Sequence, residues 1–396
     1  MNDVKLSVDV SIILGIRPDL IRASIFLELL KKHPQINMRF IWSGQHYSET
    51  LKDVFIEELN LPQPNVIFEA SGENDTEIAT KIMLQLRKDL EEFPPKCVIF
   101  LGDTNTVLGA ITAAQMNIPI LHIEGCMRSY DWRMPEEKNR VIIDNISDVI
   151  YTYLPEYKEQ GMIEGLAPNR IVVVQNLIVD VLNKYYFPKI NEYRKICLNF
   201  LNEHEISESY YLATAHRREN VEDKENLQNI IKLLENLKKP VIFPASYRTQ
   251  SNLKKFKLRI PTNVLVIDPI GYKLMLSLMS SSQAIVTDSG TVVEEASIIG
   301  VPSIQMRKST ERPQTYDYGS SIKYDPGVTS VNKVLIKLKK IENTIWKHDF
   351  GDGKSSERII KDLEKRLHNI DDMSFETHKP DDYHISTKRS YQDDEI

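Results

Sequence analysis

The sequence has few of the features that mark membrane, nucleic-acid-binding or disulfide-bonded proteins. Its 396 residues include 3 cysteines and carry a net charge of −6. Three cysteines without a CxxC pair do not fit a disulfide framework or a zinc site, and the charge does not favour nucleic acid as a partner. No run of about 18 apolar residues occurs, so we expect no membrane span. The N-terminal residues do not fit a signal peptide, and we predict a cytoplasmic protein.

Glycine-rich phosphate loops are also missing. Neither a P-loop nor a GxGxxG motif occurs in the chain, which argues against an ATPase and against a dinucleotide-dependent enzyme.

Apolar, strand-like runs alternate with helical patterns along most of the chain. This alternation is typical of parallel sheets with crossover helices, so we predict an α/β fold of two Rossmann-like, doubly wound domains. In the first half, strands are predicted at 8–14, 38–43, 66–68, 98–101, 118–123, 149–153 and 171–174. In the second half, they are predicted at 210–214, 241–244, 264–267, 284–287 and 303–306.

The predicted strands divide the chain into parts. We place a first domain at 1–182 and a second, nucleotide-binding domain at 183–354, because strands give way to a polar helical stretch near 179–205. A helix at 355–370 is expected to pack back onto the first domain. Residues 371–396 are polar and lack periodicity, so we predict a disordered tail.

Acidic residues follow successive predicted strands between residues 98 and 140. Asp103 and Glu124 come directly after two apolar runs, and Glu136 and Glu137 follow in the next loop or helix start. Strand ends in open α/β sheets are where ligands bind, and converging carboxylates can have their pKa values pushed apart. The stretch therefore indicates an enzyme that moves protons.

Two turns have the form of anion sites. Arg17 lies between a glycine turn and a proline-initiated helix, which fits either a phosphate contact or an ordinary surface arginine. Ser289 and Gly290 start a second helix that carries acidic residues, among them Glu295, one turn later. That pattern fits a phosphate cradle with a ribose contact, and it also fits a simple helix cap.

A histidine and an arginine complete the candidate site. His216 follows a predicted buried strand among arginines, where it is placed for proton transfer, an anion contact or a structural role. Arg312 follows the last predicted core strand and can face the same crevice.

Taken together, the motifs resemble the non-hydrolysing UDP-N-acetylglucosamine 2-epimerase family. The resemblance spans about residues 10 to 368 and rests on nine collinear segments, which are GIRPDLIR, SGQHYSE, GDTNT, HIEGCMRS, RMPEEKNR, the stretch 176–180, AHRREN, DSGTVVEEA and TERP. It implies a glycosyltransferase B arrangement of two domains around a cleft, with the nucleotide held mainly by the second domain. A homodimer is also usual for this family.

The resemblance implies a reaction that inverts C2 of a UDP-linked amino sugar. UDP is eliminated to give an enclosed 2-acetamidoglucal and is then added back, with no cofactor and no metal. By position, the catalytic residues are Asp103, Glu124, Glu136 and His216. The implied UDP-sugar contacts are Arg17, Arg22, Gln45, Arg140, Arg217, Met275, Ser289, Gly290, Thr291, Glu295 and Arg312.

The chain departs from the common family pattern at several positions. Ile16, Asp19, Arg22 and Thr291 replace the usual threonine, glutamate, lysine and glycine. The segment at 244–249 lacks the histidine that contributes, together with a Gln-His pair, to an allosteric site in bacterial members. The Gln-His pair is matched by Gln45 and His46.

These departures bear on the substrate. The run 131–137, together with Arg248-Thr249 and the segment 288–291, looks more like the branch that epimerises UDP-2-acetamido-2,6-dideoxy-L-hexoses for surface polysaccharides. The alternatives are a UDP-N-acetylglucosamine to UDP-N-acetylmannosamine 2-epimerase, a hydrolysing relative, a retaining glycosyltransferase and an inactive UDP-sugar-binding protein.

Overall fold

The fold consists of two parallel β-sheets with helices on their faces. The computed structural model describes residues 7–45, 56–207, 209–342 and 344–369. His46 and the predicted disordered tail at 371–396 lie outside these residues. The first sheet has the order β3-β2-β1-β4-β5-β6-β7, and the second has the order β10-β9-β8-β11-β12-β13. Both orders reverse direction at one point, as doubly wound Rossmann sheets do.

The first sheet occupies the N-terminal half of the chain. Its strands are β1 (Val8–Leu14), β2 (Met38–Trp42), β3 (Val66–Ile67), β4 (Pro95–Leu101), β5 (Ile120–Ile123), β6 (Val149–Thr152) and β7 (Ile171–Val173). The second sheet contains β8 (Tyr211–Thr214), β9 (Val241–Pro244), β10 (Val264–Ile267), β11 (Ile285–Thr287), β12 (Ser303–Met306) and β13 (Ser321–Tyr324).

Helices connect the strands and cover the sheets. In the first half they are α1 (Arg17–Lys32), α2 (Asp75–Glu92), α3 (Ala110–Gln115), α4 (Pro135–Ile146), α5 (Pro155–Ile163) and α6 (Leu177–Tyr185). The next are α7 (Ile190–Glu203), α8 (Arg218–Val221), α9 (Lys224–Asn236), α10 (Tyr247–Lys255) and α11 (Tyr272–Ser281). The last are α12 (Gly290–Ile299), α13 (Gln314–Asp317), α14 (Val331–Ile341) and α15 (Ser355–His368). Short 3-10 turns are formed by Asn105–Gly109, Pro168–Arg170 and Phe187–Lys189.

The central strands form because their side chains are apolar on both faces. In β1, every residue from Asp9 to Leu14 is buried, and its neighbour β4 is buried throughout Cys97–Leu101. Strands of parallel sheets have such continuous buried runs when helices cover both faces of the sheet, because neither face then has to be polar.

All predicted strands are present, with ends that differ by a few residues. The prediction missed β13, where a lysine at 323 interrupts a short apolar run and lies exposed at the edge of the sheet. It also started β4 too late, because Pro95 and Lys96 are not typical strand residues, although both belong to β4 and Pro95 pairs with Val8 of β1. The polar helical stretch near 179–205 is two helices, α6 and α7, separated by a 3-10 turn.

The chain returns to the first sheet after completing the second. Helix α15 packs against α1 and α6. Asp180 accepts hydrogen bonds from the first backbone amides of α15, at Ser355 (3.0 Å) and Ser356 (2.7 Å). A carboxylate at a helix N-terminus satisfies amides that lack partners within the helix. The domain limits near 182 and 354 stay a prediction.

No helix in the described part of the chain is long and apolar enough to cross a membrane.

Candidate active site

Two carboxylates lie at the carboxyl edge of the first sheet, beside the point where its strand order reverses. Asp103 follows β4 after a turn at Gly102, whose φ of 80° favours glycine. Glu124 follows β5 directly and has a φ of 73°, which is unusual for a residue with a side chain. Such a conformation persists only where neighbouring contacts enforce it.

Glu124 is buried and is surrounded by arginines from both halves of the chain. Its carboxylate accepts a hydrogen bond from Arg22 of α1 and lies 3.1 Å from the Nη2 atom of Arg312, which follows β12. Arg140 of α4 donates to the Glu124 carbonyl oxygen, and the Tyr153 hydroxyl donates to its carboxylate at 3.2 Å. Three cationic neighbours favour the ionised form of this carboxylate and present positive charge in the same crevice.

Asp103 and Glu136 share the cleft but have pKa values shifted in opposite directions. Burial would raise the pKa of Asp103, but the guanidinium groups of Arg140, Arg22 and Arg217 together outweigh it, and the net pKa is lowered. Glu136 stands in the first turn of α4, and burial followed by the negative charge of Asp103 raises its pKa. Two acids tuned in this way suit removal of a proton by one group and delivery by another.

The neighbouring Glu137 has a different role from Glu136. Its carboxylate accepts hydrogen bonds from the Ser129 amide (2.9 Å), the Ser129 hydroxyl (2.8 Å) and the Tyr130 amide (2.9 Å). These bonds fix the loop between β5 and α4. Only Glu136 of the two is therefore available for chemistry in the cleft.

At the reversal point of the second sheet, His216 follows β8 and Asp288 follows β11. Asp288 is fully buried and accepts bonds from the backbone amides of His216 (3.0 Å) and Arg217 (3.0 Å) and from the side chain of Asn220 (3.0 Å). It also lies 3.1 Å from Nδ1 of His216, whose side chain is 51% exposed. A fixed carboxylate thus orients an imidazole that faces the cleft.

The N-terminus of α12 lies next to this histidine. Ser289 precedes the helix and makes no side-chain capping bond, so the first amides of the helix are not capped by it. A Cβ atom on Gly290 would lie 2.5 Å from Nη1 of Arg312, so only glycine allows the guanidinium to pack over the helix start. Thr291 is half-buried in the first turn. A helix N-terminus beside an arginine is well suited to bind phosphate.

Glu295 lies one turn further along α12 and is buried. It accepts a hydrogen bond of 2.7 Å from the Tyr272 hydroxyl of α11. Burial raises its pKa to about 8. The Tyr272 hydroxyl therefore fixes the position of the carboxyl group, which can form a further hydrogen bond with a hydroxyl group of a ligand.

Arg17 and Arg217 are two further arginines of the predicted site. Arg217 donates from Nε to the Asp288 carbonyl oxygen at 3.1 Å, and its closest carboxylate is that of Glu219 at 3.8 Å. Arg17 is half-buried at the start of α1, and burial lowers its pKa although the nearby Tyr247 acts in the opposite sense.

Two further residues that the sequence predicts as ligand contacts, Gln45 and Met275, contact other protein groups in the structure. The side chain of Gln45 accepts hydrogen bonds from the amide (3.2 Å) and hydroxyl (3.1 Å) of Thr106. Met275 of α11 is partly buried and packs against the large hydrophobic core.

Contacts across the cleft hold the two halves together. Besides the contact between Arg312 and Glu124, Arg218 pairs with Asp75 at 3.0 Å, and the Ser309 hydroxyl donates to Asp131 at 3.2 Å. These bonds join residues that are far apart in sequence. The two halves of the chain are therefore in direct contact on either side of the cleft.

Sequence reasoning missed several residues of the site. Tyr153 directly follows β6 and is not among the predicted site residues. Asp288 is the first residue of the DSGT motif, but the sequence prediction includes only the later residues of that motif. A buried pair of Arg307 and Glu311, with bonds of 2.6 and 2.9 Å, lies beside them. Asp288 can be predicted from the sequence, because it follows a buried strand as Asp103 does. No sequence signal indicated Tyr153.

Comparison with known proteins decides the family. The family model for UDP-N-acetylglucosamine 2-epimerase matches residues 28–364. The chain belongs to the UDP-N-acetylglucosamine 2-epimerase family. Members of this family are isomerases, and the paired Rossmann-like sheets are the glycosyltransferase B arrangement.

Two relatives and one solved structure illustrate the match. A UDP-N-acetylglucosamine 2-epimerase of Methanocaldococcus jannaschii is 39% identical over 363 residues, which cover 89% of this chain and 98% of the relative. A crystal structure of the M. jannaschii enzyme in complex with UDP-GlcNAc and UDP has a TM-score of 0.83 at 37% identity, covering 90% of this chain and 99% of the other. A UDP-2,3-diacetamido-2,3-dideoxy-D-glucuronate 2-epimerase of Pseudomonas aeruginosa is 29% identical, covering 89% of this chain and 98% of the relative.

The described residues contain no cluster of three or more His, Cys, Asp or Glu side chains able to hold a metal ion.

Proposed function

We propose that this protein inverts C2 of a UDP-N-acetylhexosamine by eliminating UDP and adding it back. The opposite pKa shifts of Asp103 and Glu136 in one cleft carry this proposal, because epimerisation needs a base and an acid that act on opposite faces of the sugar. Asp103, kept ionised by Arg140, is proposed to remove the C2 proton in one direction. Glu136 is proposed to deliver a proton from the other face.

Glu124 is proposed as the third catalytic carboxylate. Its ion pairs with Arg22 and Arg312 connect it to the cations that face the leaving group. Charge that develops on the substrate can therefore interact electrostatically with these guanidinium groups, which also bind Glu124.

The second sheet is proposed to hold UDP. The N-terminus of α12, with Ser289 and Gly290, supplies backbone amides and a positive dipole end for the diphosphate. Arg217 adds positive charge beside it, the exposed imidazole of His216 adds a polar group, and Glu295 is placed one turn along the helix to bind the ribose hydroxyls. Closure of the cleft would keep the unsaturated sugar intermediate from water.

UDP-N-acetylglucosamine is the first substrate that we propose, with UDP-N-acetylmannosamine as its product. It is the substrate in the name of the M. jannaschii relative, which is 39% identical. The P. aeruginosa relative, by its name, acts on a different UDP-sugar, so the family accepts more than one hexose.

A UDP-2-acetamido-2,6-dideoxy-L-hexose is the second candidate. It is supported by the resemblance of the segment at 131–134 to that branch. In the structure, Asp131 of this segment meets Ser309 of the other half, and the Met134 sulfur lies 3.7 Å from Arg307. This segment therefore lies against the second half of the cleft, where it can influence which sugar fits.

The test is incubation of the purified protein with each UDP-sugar in deuterated water, followed by NMR. Deuterium at C2 in sugar that still carries UDP is the expected result, with the faster substrate identifying the branch. Free sugar with released UDP would replace the proposal by a hydrolysing 2-epimerase. Binding of UDP without exchange on any substrate would indicate an inactive binding protein. Glu124→Gln serves as the inactive control.

We also propose a homodimer, which light scattering would reveal as twice the chain mass of 45.8 kDa.

A further inference from the structure

A buried histidine connects the two strand ends that carry Asp103 and Glu124. His122 lies on β5 and is fully buried. Its Nε2 atom is 2.7 Å from the carbonyl oxygen of Gly102, the residue before Asp103, and its Nδ1 atom is 2.7 Å from the carboxylate of Asp144. The ring therefore lies between the backbone of β4 and a carboxylate of α4.

The partners of the ring determine its protonation. A carbonyl oxygen only accepts hydrogen bonds, so Nε2 carries a hydrogen. Burial would raise the pKa of Asp144, but His122 and Arg128 lower it to about 2, so this carboxylate is ionised and also only accepts. Two acceptors therefore flank the ring, and an imidazolium, which donates from both nitrogens, satisfies both of them.

Asp144 extends this connection to the loop after Glu124. Its second oxygen accepts a bond of 3.0 Å from the Cys126 amide and one of 2.7 Å from Arg128. Glu124 and Cys126 have φ values of 73° and 63°, so the loop is held in a conformation that side chains disfavour. A Cβ atom on the intervening Gly125 would lie 2.8 Å from Asp144, which shows how closely the loop is packed on this carboxylate.

We propose that His122 is a positioning residue that fixes the spacing of the carboxylates of Asp103 and Glu124. It holds the first through the Gly102 carbonyl group and the second through Asp144. This inference rests on the proposed function. Because UDP is assigned to the second sheet, loss of the imidazolium is expected to change kcat while leaving UDP affinity unchanged.

Substitutions of His122 distinguish its hydrogen bond to the Gly102 carbonyl oxygen from its hydrogen bond to Asp144. His122→Phe removes both donors, and we expect kcat to fall about 100-fold, the order of loss caused by misplacing a catalytic group. His122→Gln can keep a donor near the Nε2 position, and His122→Asn can keep one near Nδ1. Each should recover part of the rate. KM and the Kd for UDP, measured by titration calorimetry, should stay within about twofold of wild type in all three.

Leu121→Ala is the matched control. Leu121 precedes His122 on the same buried strand but belongs to the hydrophobic core. Its truncation should lower the melting temperature without lowering kcat. A folded His122→Phe variant with wild-type kcat would overturn the proposal. So would a His122→Phe variant that loses UDP affinity along with kcat, because that would indicate a general structural role.

A second measurement does not depend on turnover. In protein labelled with ¹⁵N-histidine, both ring nitrogens of His122 should show one-bond coupling to a hydrogen, with the signals assigned by their loss in His122→Gln. A ring nitrogen without a hydrogen would overturn the imidazolium. If the wild-type protein exchanges no UDP-sugar in deuterated water, the proposed function fails, and this spectrum still decides the arrangement around His122.

Discussion

At the scale of single residues, neighbouring carboxylates differ because of the cations that each one meets. Asp103 lies against Arg140, which lowers the pKa of its carboxyl group despite burial. Glu136 lies in the same cleft, and its pKa is raised by burial and by the negative charge of Asp103. The sequence shows all of these acids as equivalent, since charge and burial at one position depend on distant residues.

The adjacent pair Glu136 and Glu137 offers a matched comparison. Glu136→Gln should lower kcat by about 10² to 10⁴, the usual contribution of a general acid or base, without changing the melting temperature. Glu137→Gln should instead destabilise the fold by about 1 to 3 kcal/mol, because it weakens charge-assisted bonds to Ser129 and Tyr130. Steady-state kinetics and calorimetry on both variants check this. Equal kinetic losses in the two would contradict the division of roles.

Glu295 should make stability depend on pH. Its pKa is raised by burial from 4.5 to about 8, so the folded protein keeps a proton that the unfolded chain releases near its ordinary pKa. Between these values the unfolded state binds fewer protons, so the free energy of unfolding falls as pH rises. The melting temperature of wild type minus that of Glu295→Gln, measured from pH 5 to pH 8, should decrease with pH. A constant difference would contradict this.

At the scale of elements, the start of α12 depends on packing that propensity does not encode. Gly290 allows the Arg312 guanidinium to lie over the first turn, and Arg312 in turn pairs with Glu294 of the same helix at 3.0 Å. The sequence suggested a phosphate cradle or a simple cap at this position. Contact with an arginine favours the cradle.

Gly290→Ala should therefore weaken UDP binding. A Cβ atom displaces Arg312, and we expect about a tenfold loss of affinity, equivalent to about 1.4 kcal/mol. Gly300→Ala, at the C-terminal end of the same helix, is the control. With a φ of 90° and open space around it, Gly300 should cost about 1 to 2 kcal/mol of stability when substituted and leave UDP affinity unchanged. Titration calorimetry and thermal unfolding distinguish the two, and unchanged UDP affinity in Gly290→Ala would count against the cradle.

At the scale of the whole molecule, the site exists only when the two sheets face each other. Arg312 reaches Glu124, and Tyr157 of α5 donates to Gln314 of α13 at 2.8 Å. Since such contacts form only when the halves meet, we expect them to favour closure of the cleft around substrate.

The exposed ion pair of Arg218 and Asp75 tests this closure. Arg218→Ala should change stability by less than about 1 kcal/mol, as exposed pairs do, and raise KM up to about fivefold by favouring the open form. Arg87→Ala, which breaks an exposed pair with Glu91 inside α2, should change neither KM nor kcat. Kinetics of both variants at low and high salt provide the measurement. A wild-type KM in Arg218→Ala would show that this pair does not contribute to closure.

Sequence alone predicts the α/β class, nearly all strands and the positions of the acids at strand ends, because apolar runs and polar breaks are local properties of the chain. It does not predict β13 or the early start of β4, where residues with weak strand preference pair with a neighbouring strand. Which charges meet depends on the tertiary structure. Arg312, Arg22 and Glu124 are separated by 188 and 102 positions along the chain, and their contact depends on how two sheets pack across the cleft.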